Sequence, residues 1–380
     1  MISRLAPWSA AGHVALACTG GCALIAGIDD ITYEPADGGS QSSGSSGSGS
    51  SGSAGSGGGV VCEMGLSVCD GVCVDTNTDD AHCGGCDTPC GAVAPSAATC
   101  TKGSCLVTLA ETRLSMPTAI AIDETNVYWA EYGGKIQTIP RIGGSVTTLS
   151  IGVSPIRIAV DGTSVYWAEG SVPGEGRVRK VPKGGGDADT VASGLGDIND
   201  IAIDPTSVYW VDGMSGSVEK VSLTGGAVST LASSQPVPTT IAVDATSVYF
   251  GNDDGSIKSV PIDGGAAVGL VPTTSFVGEL AIDPSSVYFF GVQTPGLAKV
   301  ALTGGAITTI GPGVEGRDLV VNGDKVFFTD NTNATVNEIP RDGGAVTQLA
   351  DAQAGANQLA VDEEGVYWTT NSTVMKVERR

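Results

Sequence analysis

From residue 106 to the C-terminus, short apolar runs alternate with turn-forming residues, and the same pattern recurs seven times. One copy contains Ile201-Ala202-Ile203-Asp204, then Pro205-Thr206, then Ser207-Val208-Tyr209-Trp210. An acidic or amide residue ends the first apolar run of each copy, and we call these residues the anchors. The anchors are Asp123, Asp161, Asp204, Asp244, Asp283, Asn322 and Asp362. They are separated by 38 to 43 residues, which is close to the ~40-residue period of a four-stranded propeller blade.

The third copy illustrates the four strands that we predict for each unit, at residues 201–204, 207–212, 217–223 and 227–231. In its second strand, Val208 and Trp210 point to one side of the pleat and Tyr209 and Val211 to the other. Both sides are therefore apolar, whereas a sheet with one wet face shows polar residues at alternate positions. A blade packed between two neighbouring blades fits this pattern.

A pair of adjacent glycines separates the third and fourth strands in six of the seven copies. The pairs are Gly143-Gly144, Gly185-Gly186, Gly225-Gly226, Gly264-Gly265, Gly304-Gly305 and Gly343-Gly344. Two residues that are free to take positive φ predict a type I′ hairpin. The last copy ends after its third strand, and residues 106–110 resemble the fourth strands of other copies. We therefore predict an all-β, seven-bladed propeller over residues 106–380, in which this N-terminal strand completes the last blade.

The repeated "Ile-Ala-Val-Asp … Val-Tyr-Trp-x-Asp … Gly-Gly" pattern resembles the YWTD and NHL propeller families over about 275 residues. The signature is altered in the fourth unit, at residues 249–252, and in the sixth, at residues 327–330. Six blades are common among YWTD members, whereas seven units are present here. The resemblance implies a propeller fold. Because these families include receptors, scaffolds and a few enzymes, it does not assign a function.

The first 105 residues divide into three further segments. Residues 1–22 carry Arg4 and then an apolar run that is too short to span a bilayer, as in a bacterial signal peptide. Small residues precede Cys18 and Cys22, and we predict that one of these cysteines is lipidated, with plain secretion as the alternative. Residues 23–59 include a Ser/Gly-rich stretch from 38 to 59, which predicts a flexible tether.

Residues 60–105 contain eight cysteines: Cys62, Cys69, Cys73, Cys83, Cys86, Cys90, Cys100 and Cys105. Downstream of a signal sequence, this density predicts a module with four disulfides of unknown pairing. Zinc binding is the alternative, because Cys83 and Cys86 form a Cys-x-x-Cys pair. The cysteine spacing resembles that of the stigma-specific-protein-like module, which implies an extracellular module without known catalytic residues.

Histidine is almost absent, with His13 in the signal segment and His82 in the cysteine module. The propeller therefore lacks the histidine needed for Ser-His-Asp catalysis or His-ligated metals. Streptogramin lyases are seven-bladed propellers that depend on a histidine, so that resemblance fails at this residue. Every cysteine precedes residue 106, so the propeller also lacks a cysteine nucleophile. We predict no catalytic residue and no cofactor.

The recurring acidic and aromatic residues have two interpretations each. The anchors could form a Ca²⁺-binding ring, but a ligand set needs several carboxylates on one ion, so we expect each anchor to cap its own hairpin. The tryptophans occupy one position of the repeat and are interpreted as packing residues. Tyr132, Phe276 and Phe290 fall outside this register and are the candidates for exposed ligand contacts, although burial is favoured for them too.

Net charge is −22, from 41 acidic and 19 basic residues, and no basic stripe is present. These features disfavour nucleic acid as a partner. We predict a non-enzymatic, monomeric protein that is exported to the cell surface, outer membrane or periplasm and binds a protein, peptide or glycan at the channel mouth. The first alternative is a hydrolase or lyase that uses carboxylates or a metal there. The second is a purely structural envelope component.

Overall fold

The computed structural model describes residues 62–90, 98–112, 116–170, 174–272, 277–291 and 296–379. The predictions for residues 1–59, including Cys18, Cys22 and the tether, lie outside the described residues. Regular structure in the described part consists of β-strands. No helix in these segments is long and apolar enough to cross a membrane.

The cysteine-rich module contains four disulfides, and the predicted framework is confirmed. The bridges join Cys62 to Cys73, Cys69 to Cys86, Cys83 to Cys100, and Cys90 to Cys105. The strands of this region are β1 (Ser67–Cys69), β2 (Val72–Val74), β3 (Ala98–Thr101) and β4 (Ser104–Glu111). Four disulfides indicate an extracellular or periplasmic location.

Seven antiparallel sheets follow, and six of them take their four strands consecutively from the chain. Blade 1 contains β5 (Pro117–Ile122), β6 (Asn126–Glu131), β7 (Lys135–Pro140) and β8 (Thr147–Ile151). Blade 2 contains β9 (Pro155–Val160), β10 (Ser164–Glu169), β11 (Gly176–Pro182) and β12 (Asp189–Leu195). Blade 3 contains β13 (Ile198–Ile203), β14 (Ser207–Asp212), β15 (Ser217–Ser222) and β16 (Ser229–Ala232).

The next three blades repeat this order. Blade 4 contains β17 (Pro238–Val243), β18 (Ser247–Asn252), β19 (Ile257–Pro261) and β20 (Val268–Val271). Blade 5 contains β21 (Val277–Ile282), β22 (Ser286–Gly291), β23 (Gly296–Ala301) and β24 (Thr308–Pro312). Blade 6 contains β25 (Asp318–Asn322), β26 (Lys325–Asp330), β27 (Thr335–Pro340) and β28 (Thr347–Ala350).

Blade 7 joins the two ends of the propeller. It contains β29 (Leu359–Val361), β30 (Gly365–Thr369) and β31 (Thr373–Glu378), followed in the sheet by β4 and β3. Val377 lies opposite Leu106 and Val374 opposite Ala110, so the predicted closure by the N-terminal strand is confirmed. The boundary expected between residues 105 and 106 falls inside β4. This strand therefore belongs to the disulfide network through Cys105 and to the last blade.

The described hydrophobic residues form seven clusters, one at each interface between successive blades. In blade 3, Val208 and Trp210 pack against blade 2, whereas Tyr209 and Val211 pack against blade 4. This division confirms the prediction that both faces of the second strand are buried. The closing interface is built in the same way, with Leu109 and Trp129 in one cluster.

The aspartate anchors hold the turn between the first and second strands of their own blades. In blade 3, Asp204 Oδ1 accepts the backbone N–H groups of Thr206 at 2.6 Å and Ser207 at 2.8 Å. Its Oδ2 accepts the hydroxyl of Tyr209 at 2.7 Å. Blades 1, 2, 4 and 5 repeat these contacts, so the interpretation of the anchors as hairpin caps is confirmed for them.

The type I′ hairpin predicted at the glycine pairs is wrong. In blade 1, the N–H of Gly143 donates to the carbonyl of Pro140 at 2.8 Å. Gly143 is therefore the last residue of a β-turn and does not occupy its centre. Both glycines still take positive φ, at 83° and 135°. The connection from β7 to β8 is longer than a two-residue loop. The two glycines allow the positive φ values that the chain takes at the end of the turn and directly after it.

Candidate functional site

The innermost strand of each blade lines the axis of the propeller, and the inner strand predicted for the third copy begins earlier than expected. In blade 3, the first strand starts at Ile198, not at residue 201. Its pairing register shifts between Ile198 and Asp200, which marks a bulge at Asn199. Related irregularities occur in the first strands of blades 1, 2, 4 and 5. Bulges re-aim side chains, and in blades 2, 3 and 4 the residue that follows the irregularity (Arg157, Asp200 or Thr240) contacts another of these residues at the axis.

These axial residues occupy one position of the repeat, four residues before each anchor, and we call them the axial ring. The axial ring consists of Ala119, Arg157, Asp200, Thr240, Glu279, Asp318 and Gln358. The sequence does not single these residues out through the repeat itself, because the repeat is defined by positions that stay constant between copies. This position is variable in chemistry inside an otherwise regular apolar strand, and that contrast is the signal that could have found it.

Arg157 is the centre of the axial ring. Its Nε lies 3.0 Å from Asp200 Oδ1 of blade 3, and its Nη2 lies 2.6 Å from Glu279 Oε1 of blade 5. Thr240 donates its hydroxyl to Glu279 Oε2 at 3.1 Å. The guanidinium therefore bridges the channel between non-adjacent blades, and its side chain is 24% exposed.

Asp200 and Asp318 each form hydrogen bonds that join two inner strands of neighbouring blades. Asp200 Oδ2 accepts the N–H of Ile241 in blade 4 at 2.9 Å. Asp318 Oδ2 accepts the N–H of Leu359 in blade 7 at 2.6 Å. The other oxygen of each carboxylate accepts the N–H of the residue that follows it. Both carboxyl groups are thus used to hold the blades together around the channel.

The axial ring places the carboxyl groups of Asp200, Glu279 and Asp318 around the single guanidinium of Arg157, and the pKa values of Asp200 and Asp318 are raised. Burial, followed by the negative charge of Glu279, raises the pKa of Asp318 to about 8. Burial raises the pKa of Asp200 to about 6, although Arg157 opposes that shift. The anchors behave in the opposite way. Hydrogen bonds from Tyr209 and the Thr206 backbone outweigh burial and lower the pKa of Asp204.

We expect the free energy of unfolding to fall as pH rises from about 4 to about 8. An acid whose pKa is raised in the folded state binds its proton more tightly there than in the unfolded chain, so this stabilisation is lost as the group ionises. Asp318→Asn should flatten the fall, and the exposed control Asp253→Asn should not. Urea denaturation at a series of pH values measures this. Equal slopes in both variants would contradict the assignment to Asp318.

A cavity of about 810 Å³ opens above the axial ring, at the end of the propeller where the first strands begin and the second strands end. Arg157, Glu279 and Gln358 reach it from the ring. The loops between the second and third strands of blades 6, 7 and 1 supply Asn331, Asn371 and Tyr132. The cavity is therefore asymmetric, because one arc of the ring of blades contributes most of its polar rim.

The backbone at this end of the propeller is strained. Met116, Ser154 and Val237 take φ of 37°, 46° and 53°, and each immediately precedes a proline that begins an inner strand. Positive φ is unusual for non-glycine residues and is a genuine outlier for a β-branched residue such as Val237. Such strain is typically concentrated at functional sites. The strain supports this end as the functional face.

The three aromatic candidates have different outcomes. Tyr132 lies at the cavity and is 66% exposed, so the expectation that it would be buried is wrong. Phe290 is buried and packs edge-on against Phe328, with ring centroids 6.0 Å apart. Phe276 lies outside the described residues.

A metal ion would need several His, Cys, Asp or Glu ligand atoms close together in the described segments. One group of three brings its ligand atoms within 4.8 Å of one another, namely Cys83, Cys90 and Cys105. All three sulfurs are already in disulfides. In the described part of the chain, the carboxylates of the axial ring do not bring three ligand atoms within that distance of one another.

No protein-family model matches the sequence, and no curated protein matches it either. Solved propellers do match the fold. Virginiamycin B lyase from Staphylococcus aureus has a TM-score of 0.62 at 12% identity, over 72% of this chain and 99% of the lyase. A catalytically inactive histidine-to-alanine variant of that lyase, with quinupristin, gives 0.62 at 13%, with the same coverage. The WD40 propeller domain of Doa1 gives 0.59 at 11%, over 72% of this chain and 95% of Doa1. At these identities the chain shares with them the β-propeller fold.

Proposed function

We propose that this protein is an exported binding protein whose propeller captures a protein, peptide or glycan at the cell envelope, without chemical transformation. The ligand enters the cavity above the axial ring. A lipid on Cys18 or Cys22 holds the chain at the membrane, and residues 23–59 act as the tether. The four disulfides and the signal-like N-terminus support export.

The strongest support for a binding function is the cavity above the axial ring. It has a volume of about 810 Å³ and is lined by side chains from several blades, which is the size and situation of ligand sites. Asn331 and Asn371 are exposed at its rim and form no side-chain hydrogen bond with another described residue. Polar groups that are left unpaired around a concave surface are available to a ligand.

The alternative is a carboxylate- or metal-dependent hydrolase or lyase at the same mouth. Its candidate groups are Glu279 and Asp318. Both oxygens of Asp318 accept backbone N–H groups, and Glu279 is paired with Arg157. Because these groups are engaged in holding the channel, the geometry supports binding better than catalysis.

A photo-crosslinking residue at position 132 tests the binding face. With benzoylphenylalanine in place of Tyr132, we expect covalent adducts in the envelope of the producing cell. The matched control replaces Ile142, which is 79% exposed at the other end of the strands of blade 1. Adducts from position 142 alone would overturn the proposed face.

Mass spectrometry of the N-terminal peptide tests for the proposed lipid on Cys18 or Cys22. An unmodified cysteine there would refute lipidation.

A further inference from the structure

The rim of the cavity presents amide groups along one arc. Asn331 in blade 6 and Asn371 in blade 7 project from equivalent loops between second and third strands. On the inner side, the amide of Gln358 has one long contact, from Nε2 to Glu279 Oε1 at 3.5 Å. An amide side chain offers both hydrogen-bond donors and acceptors. The arc is therefore suited to ligand groups that also donate and accept, as hydroxyl groups do.

An apolar surface adjoins this arc at blade 1. Tyr132 is 66% exposed and Met116 is 54% exposed. The backbone N–H of Tyr132 donates to the carbonyl of Met116 at 3.0 Å, which holds the two residues together. An exposed aromatic ring combines a large apolar face with a polar tip. A ligand with an apolar face beside a hydrogen-bonding edge fits this surface.

The charges of the cavity nearly cancel. Two arginines, Arg157 and Arg317, stand against Glu279, Glu315 and Asp330, which leaves a formal charge of −1. Arg157 and Glu279 are paired with each other, and Asp330 accepts two hydrogen bonds from Asn333. Arg317 and Glu315 are exposed at the rim and carry opposite charges, so a strongly charged ligand of either sign would meet a like charge there. An uncharged ligand fits this balance.

We infer that the cavity binds a neutral carbohydrate. A pyranose ring has an apolar face, which stacks on Tyr132, and a hydroxyl edge, which meets the amides of Asn331, Asn371 and Gln358. A peptide would also use the amides. However, the combination of one exposed aromatic platform, two amides without a side-chain partner among the described residues (Asn331 and Asn371) and a nearly neutral lining matches the sugar in all three respects. This inference rests on the proposed binding function and specifies its ligand.

The test uses the full-length, disulfide-oxidised chain on an array of neutral oligosaccharides built from glucose, galactose, mannose and N-acetylglucosamine. The best-bound oligosaccharide is then titrated calorimetrically. We expect Tyr132→Ala to weaken binding about tenfold, through the loss of stacking. Asn331→Ala should weaken it as well. Because both residues are exposed, neither variant should alter folding, which a thermal melt checks.

Met214→Ala is the matched control, because Met214 is 63% exposed in the equivalent loop of blade 3 and does not line the cavity. Its affinity should equal that of the unsubstituted protein. No binding on the array, or binding that Tyr132→Ala leaves unchanged, would overturn the inference. If the array shows no binding while position 132 still crosslinks to a peptide, the carbohydrate inference fails and the proposed binding face stands.

Discussion

Replacing Arg157 with methionine should lower the free energy of unfolding by about 2 kcal/mol, which is less than the ~3–5 kcal/mol for a fully buried ion pair because Arg157 is 24% exposed at the cavity. Methionine fills much of the space but leaves Asp200 and Glu279 without their shared cation. Asp318, whose pKa is already raised, lies in the same ring. Urea denaturation, followed by tryptophan fluorescence, measures the loss.

Arg177→Met is the control, because Arg177 is exposed on the third strand of the same blade. It should change stability by less than about 0.5 kcal/mol. The cost of Arg157→Met should shrink in acid, since the remaining carboxyl groups then take up protons. Adding Glu279→Gln should recover part of the loss. A cost that is independent of pH and unaffected by Glu279→Gln would indicate lost packing, and would contradict the role given to the charge.

Reduction of the four disulfides should unfold the cysteine-rich module and leave the propeller folded. The bridges join residues that are 11 to 17 positions apart, and a 15-residue loop contributes about 3 kcal/mol in the chain-entropy account. Before Val107, the buried hydrophobic residues among those described are Cys69, Cys83 and Cys105. Little apolar packing therefore remains once the bridges open.

Limited proteolysis with and without reductant, read by mass spectrometry, measures this difference. Cleavage should appear within residues 62–90 on reduction, while the signal of the buried tryptophans of the propeller persists. β4 should stay in place because Val107 and Leu109 are buried in the closing interface. The double variant Cys62→Ala/Cys73→Ala, which removes the first bridge alone, should loosen only the start of the module. Simultaneous melting of the propeller would show that closure depends on the disulfides.

Much of the fold could be predicted because a blade depends on local pattern. The spacing of the anchors predicts seven units, and the apolar second strand predicts packing on both faces, as Tyr209 and Trp210 show. The missing fourth strand of the last unit predicts closure by residues 106–110. The anchors and the apolar second strands recur in all seven copies, so the pattern is visible seven times, and the one incomplete copy stands out against it.

The candidate site could not be found in the same way. Arg157 and Glu279 are 122 residues apart, and neither has a neighbour in sequence that marks it as a partner. They meet because propeller closure brings non-adjacent blades to one axis. The apolar pattern does not predict the bulges that begin the inner strands, and the inner strand of blade 3 therefore starts at Ile198 instead of residue 201.

The amino-acid pattern thus specifies the blades, their number and the strand that closes the ring, because burial between adjacent sheets imposes a period on residues that are near one another in the chain. The pairing of the eight cysteines, the bridge from Arg157 to Glu279 and the exposed placement of Tyr132 were decided only by the tertiary structure. The cysteines pair as the small module folds. Arg157 and Glu279 meet only when blades 2 and 5 face one channel, and their separation along the chain carries no periodic signal.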